Sequence, residues 1–218
     1  MIARSMLKNS LILAAFALLS TAMVAITDHF TRDKIQSEKA LALEKILHQL
    51  IAPEQHDNDL YQDCIEVKNL DLLGTENPVK IFRARLNNKP QAVFIQSVAP
   101  DGYNGAIELV IGVSQQQQVM GIRVLSHKET PGLGDKIEIR KSNWISGFNH
   151  YSLNKLEQKK WKVKKDGGEF DAFTGATITP RAVVKSVLKT LIYVEQNTVE
   201  LYQQPSNCFQ QAKQVPAE

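Results

Sequence analysis

The stretch Asp171-Ala172-Phe173-Thr174-Gly175-Ala176-Thr177 runs directly into Ile178-Thr179-Pro180 and a helical pattern. Thr179 before Pro180 suits a helix start: a hydroxyl at the N-cap, then a proline at the first helical position, where no N–H is needed. Val183, Val184, Val187, Leu188, Leu191 and Ile192 follow at the i, i+3, i+4 spacing of a buried helix face. A helix N-terminus offers unpaired N–H groups and partial positive charge, which suit a phosphate. Gly175 and Ala176 keep the approach to it nearly free of side chains. The chemistry predicted here is a phosphate held beside a threonine hydroxyl. An ordinary capped loop would carry the same residues.

The elements that must position this stretch read as β and then α. Val79–Leu86 and Gln91–Val98 are rich in β-branched and aromatic residues and flank the turn Asn87-Asn88-Lys89-Pro90. Ala106–Val113 and Val119–Ser126 form a second pair around Ser114–Gln118. Four strands in two hairpins, with helices before and after, predict an α+β fold with a mostly antiparallel sheet. A second Gly-rich loop, Glu129-Thr130-Pro131-Gly132-Leu133-Gly134, follows the strands. It is no dinucleotide fingerprint, because Ile137 stands where the third glycine belongs, and no phosphate-binding Gly-Lys-Ser/Thr ending is present.

Asp-x-x-Thr-Gly-Ala-Thr resembles the flavinylation motif of the FMN-binding domain family, in which a transferase joins FMN to the last threonine through a phosphodiester. The Glu-Thr-Pro-Gly-Leu-Gly loop resembles the family's second signature, which lies against the flavin ring. With the Gly102-Tyr103-Asn104-Gly105 turn, the resemblance covers roughly Pro100 to Val184. It implies covalent FMN on Thr177, with Asp171, Thr174, Gly175 and Ala176 around the attachment point. It places Glu129, Thr130, Gly132, Leu133 and Gly134 beside the cofactor. Lys164, in Val163-Lys164-Lys165-Asp166-Gly167-Gly168, is expected to neutralise the phosphodiester or the reduced ring; a solvated loop is the alternative.

The overall pattern is similar to the flavin-carrying subunits of the bacterial Rnf/Rsx ion-translocating electron-transfer complexes. That resemblance implies a one-electron carrier, not catalytic alone, whose partners are the complex's other membrane subunits and, during maturation, a flavin transferase. The subunit of the sodium-translocating NADH:quinone reductase that shares this domain and attachment motif is the nearest alternative. A membrane-anchored flavin-binding or sensor domain that carries no electrons is the other.

Composition is ordinary for a globular chain, with 22% charged and 43% hydrophobic residues. A net charge of +3 with scattered basic residues gives no nucleic-acid footprint. The N-terminus departs from this: Ser10–Ile26 is an uncharged run of 17 residues, the lower end of what spans a bilayer. A cleaved signal peptide competes, but the run continues past Ala22, the candidate cleavage site, and an uncleaved anchor is expected.

The expected organisation is thus a cytoplasmic N-terminus (1–9), an anchor (10–27), a helical stalk (28–60), an FMN-binding domain (61–202) and a flexible tail (203–218). The resemblance puts the domain on the periplasmic side of a bacterial inner membrane. Cys64 and Cys208 are the only cysteines, so no zinc or iron–sulfur set exists. In an oxidising compartment they could bridge, and two buried free thiols are equally open. The five histidines lack the paired spacing of a metal site.

Overall fold

The computed structural model describes residues 2–209, with side chains from Met6 onward. The chain divides into two units, one ending at Leu43 and the other beginning at Glu44. Helix α1 (Ile2–Leu50) is one element of 49 residues that takes in the expected anchor and most of the expected helical stalk. Its polar part stays helical because charges pair at helical spacing, Asp28 with Arg32 and Lys34 with Glu38. Pro53 lies just beyond its end. The apolar part exposes Leu11, Phe16, Leu18, Met23 and Val24, and the helix is long and apolar enough to cross a membrane.

The second unit is built on an antiparallel sheet of β1 (Cys64–Asn69), β2 (Thr75–Leu86), β3 (Lys89–Ala99), β4 (Ile107–Ser114) and β5 (Val119–Ser126), in that spatial order. One turn of helix, α2 (Leu70–Leu73), joins β1 to β2, and α3 (Ile178–Gln203) closes the fold. The sheet is therefore a five-strand meander. The extra strand is β1, whose short Cys-Ile-Glu-Val-Lys-Asn run carries charged residues on its less buried positions, so composition alone does not mark it. Asn87 and Asn88, at φ 52° and 60°, make the two-residue turn between β2 and β3, and Lys89 and Pro90 already belong to β3.

Alternation along the strands sends side chains to two covered faces. Ile81, Val93, Ile95, Leu109 and Ile111 share the main core with Val183, Val184, Val187 and Leu191 of α3. Burial of each of those aliphatic side chains contributes about 1.5–3 kcal/mol. Ser97 of β3 fixes the helix register, with its hydroxyl 3.0 Å from that of Ser186 and accepting from Thr190 at 2.9 Å. Phe82, Phe94 and Val110 point to the other face and are buried as well. There Tyr61 stacks on Phe82, and Leu50 fills the space over Gly121, where a Cβ would lie 2.7 Å from its Cδ2.

The end of α3 is tied to β1 and β2. Arg83, 2% exposed, donates from Nε to Asp63 at 2.7 Å and from Nη1 to both the Leu201 and Gln204 carbonyls. Arg85 bonds Asp63 and the Tyr202 carbonyl. Two guanidinium groups thus satisfy acceptors that a helix C-terminus leaves open. Cys64 and Cys208 form a disulfide across 144 residues, and Asn207 pairs with the edge of β1. Of the tail expected at 203–218, residues 204–209 are held by these contacts, and 210–218 lie outside the described residues.

Candidate functional site

Three loops meet at the start of α3: the Gly102–Gly105 turn between β3 and β4, the Glu129–Gly134 loop after β5, and Gly175–Thr179. What joins them is Glu129, 4% exposed, whose carboxyl group accepts from the Thr179 hydroxyl and, at 3.2 Å, from the Asn104 N–H. Glycine is required on both sides of it. A Cβ at Gly102 would lie 2.9 Å from one carboxyl oxygen and a Cβ at Gly134 2.7 Å from the other. The Glu129 N–H in turn donates to His127 Nδ1 at 3.0 Å, so a neutral His127 carries its proton on Nε2 and donates to Glu138 at 2.9 Å. Glu138 is held below the usual carboxylate range, first by its hydrogen bond with Arg140 and then by His127, against the effect of burial.

The space between the loops is a cleft of about 360 Å³, within the range of small-molecule sites. Its lining includes Glu129, Thr130, Leu133, Gly134, Gly175, Ala176 and Thr177, seven of the residues singled out from sequence. Asp171, Thr174, Gly132 and Lys164 do not line it. Lys164 pairs instead with Asp171 at 2.8 Å, which raises the lysine's pKa by hydrogen bond and charge. Trp144 Nε1 donates to the Asp171 carbonyl at 2.8 Å, steadying the segment that leads into the cleft. Gly175, at φ 81°, takes the left-handed turn that aims the next two residues inward.

Sequence reasoning missed Tyr103 and Ile178, and misassigned Thr179. α3 begins at Ile178 with Thr177 at the N-cap position, two residues before the cap expected at Thr179. The Thr179 hydroxyl is committed to Glu129, which is why it does not cap. Thr177 is half-buried on the cleft wall, and its side chain makes no capping bond. Tyr103, Leu133 and Ile178 are exposed by 64%, 42% and 44%, an apolar rim around a polar floor. Among the described residues of the second unit, only Leu70 and Val199 are other large apolar side chains so exposed. An aromatic inside a Gly-x-x-Gly turn was the available signal for Tyr103.

An FMN-binding domain model matches residues 102–192, which contain every residue of the cleft, and an RnfG N-terminal region model matches residues 1–50, which contain α1. The ion-translocating oxidoreductase complex G subunit of Shewanella amazonensis is 52% identical over 205 residues, covering 94% of this chain and 95% of its own. The chain belongs to this family, the G subunits of ion-translocating oxidoreductase complexes. Those of Vibrio cholerae and Aliivibrio fischeri are 50% and 48% identical, with 92% and 94% of this chain covered and 96% and 97% of theirs. Membership at nearly full length sets aside the sodium-translocating NADH:quinone reductase as the parent complex.

The residues of the cleft fit FMN. The charged demand is a phosphate, met by the α3 N-terminus, where the first helical N–H groups have no partner within the helix. The flat apolar demand is the ring, met by the exposed rim.

Proposed function

We propose that this chain is an electron carrier, with FMN joined through a phosphodiester to Thr177, in a membrane-bound ion-translocating oxidoreductase complex. One observation carries the reading: a threonine hydroxyl that makes no capping bond stands at the N-terminus of a 26-residue helix and opens onto the cleft. Bound there, the flavin supplies the redox chemistry. The chain's part is to attach, orient and shield. Thr177 fixes the phosphate, and the helix end offsets its charge. Tyr103, Leu133 and Ile178 cover the ring, while the Glu129–Thr179 bond holds the loops at a fixed separation. Asp171 and Lys164, paired on the outer side of the loop, serve as a surface that the modifying enzyme reads.

A threonine hydroxyl is a weak nucleophile without a base. The cleft presents Glu129 as its only carboxyl group, and Thr179 already occupies it. A separate flavin transferase therefore performs the attachment, with Thr177 as acceptor. We assign the domain to the periplasmic side of a bacterial inner membrane, α1 as the single span, and the other membrane subunits of the complex as electron partners. Outside the cytoplasm a lost flavin is not replaced, which favours a covalent link.

Intact mass tests this. The full chain co-expressed with a periplasmic flavin transferase gains the mass of FMN less one water and shows in-gel flavin fluorescence, and Thr177→Ala loses both. Absence of any gain in the parent chain refutes the carrier reading. Flavin retained by Thr177→Ala moves the attachment to another residue.

A further inference from the structure

Residues 155–165 hold six lysines (Lys155, Lys159, Lys160, Lys162, Lys164 and Lys165) against one acid, Glu157, whereas the whole chain carries only +3. The rest of the chain, though its basic residues are scattered, is therefore net negative, and the chain's net positive excess lies in this short segment. This segment is no loose tail. Trp161 and Val163 are buried, so Lys160, Lys162 and Lys164 alternate outward between them. Trp161 packs against Phe148, Tyr151 and Phe170. The backbone is clamped to the segment that follows: Phe170 N–H donates to the Lys162 carbonyl at 3.1 Å, and Glu169 N–H to that of Lys160 at 3.0 Å. Only glycine fits at 168, where a Cβ would lie 2.0 Å from the Lys162 carbonyl oxygen.

Part of the charge is balanced locally. Lys159 pairs with Glu157, Lys164 with Asp171, and Asp166 with Arg181. Lys155 lies over the Tyr151 ring and Lys160 reaches the Gly167 carbonyl, neither of which neutralises a charge. Lys155, Lys160, Lys162 and Lys165 are left as the cationic excess, with Glu169 as the acid among them. All four are exposed. The clamped segment continues through Asp171 to Gly175 and Thr177, so the ridge leads along the backbone directly to the lip of the cleft.

We infer that this lysine ridge is the docking surface for an acidic face of another protein subunit of the complex, one that exchanges electrons with the group held in the cleft. The inference rests on the electron-carrier reading and adds the chemistry of the partner. A rigid basic ridge beside a redox cleft raises encounter rate and fixes orientation, which is what weak electron-transfer contacts need. The acids interleaved along it, Glu157, Asp166, Glu169 and Asp171, would repel an anionic bilayer but can register against a protein of mixed charge.

The test is an amine footprint. Membranes carrying the complete complex are treated with an acetylating reagent, beside the full chain alone in phosphatidylcholine vesicles and in phosphatidylglycerol vesicles. Lys89, exposed at the start of β3, serves as internal reference. Lys155, Lys160, Lys162 and Lys165 are expected to react at least threefold more slowly in the complex than in either vesicle, with the protection gone in 1 M salt, where screening acts within about 3 Å. Equal reactivity in all three samples makes the ridge a solvated face and overturns the inference. Protection of the lone chain in phosphatidylglycerol assigns the ridge to lipid and overturns it too, as does protection that survives 1 M salt. In-gel flavin fluorescence of the same samples reports separately on the cofactor, so a missing flavin refutes the carrier reading and not the footprint.

Discussion

Replacing Thr179 by valine removes one hydroxyl and keeps the shape of the side chain. In the structure that hydroxyl donates to a Glu129 carboxyl oxygen, with Thr179 fully buried and Glu129 4% exposed. Gly134 packs close against the pair, where a Cβ would lie 2.9 Å from Thr179 Oγ1. A buried acceptor left without its donor costs about 1–3 kcal/mol. For a domain of this size, each kcal/mol lowers Tm by about 2–4 °C. Thr179→Ser is the control, since it keeps the hydroxyl and gives up one methyl group, about 0.8 kcal/mol. The assay is urea unfolding of the domain from Glu44 onward, followed by tryptophan fluorescence. Valine is expected to be the worse of the two. A loss below about 0.5 kcal/mol for valine, or a serine variant as damaged as the valine one, refutes the claim that this bond ties the loops together.

Gly134→Ala pushes a methyl group against both Glu129 and Thr179, and overpacking of this kind costs about 1–3 kcal/mol. Gly147→Ala meets nothing within 4 Å and is the matched control in the same unfolding assay. Cys208→Ser opens a disulfide spanning 144 residues and is expected to lower stability by about 2–5 kcal/mol, read under non-reducing conditions. Burial pushes the Tyr202 phenol up from its ordinary 10.0 to about 12. The folded state thus prefers the neutral phenol, so this contribution is whole below pH 10 and is lost as pH rises toward 12. Tyr202→Phe should flatten the fall of stability between those values, measured by urea midpoints across the range; an unchanged slope would assign it to other groups.

Much of the site was legible because it depends on backbone chemistry that particular residues announce. Gly175, Pro180 and the valines behind them signal a turn into a buried helix, and Gly132-x-Gly134 signals a second tight loop. Two loops with matching family signatures placed Thr177 beside a helix N-terminus, where the structure has it. The apolar run from Ser10 likewise announced a helix fit to cross a membrane, since length and the absence of charge suffice. The strands from β2 to β5 declared themselves by runs rich in β-branched and aromatic residues on either side of turn signals.

What tertiary structure alone decided was pairing between distant residues. Nothing local shows that Thr179 gives its hydroxyl to Glu129, 50 positions earlier, and so leaves Thr177 at the N-cap position of the helix. Nothing local marks Tyr103 as part of a cleft, because its neighbours spell only a turn. Lys164 was expected to neutralise the phosphodiester or the reduced ring, with a solvated loop as the alternative; in space its partner is Asp171, set beside it by the clamp between residues 160–164 and 168–170. β1 escaped notice because an edge strand of six residues draws its stability from partners, Phe82 and Ile81 on one side and Asn207 on the other. Periodicity and turn chemistry are properties of neighbours along the chain. A cleft, an ion pair and an edge strand are properties of neighbours in space, and only the folded chain brings those together.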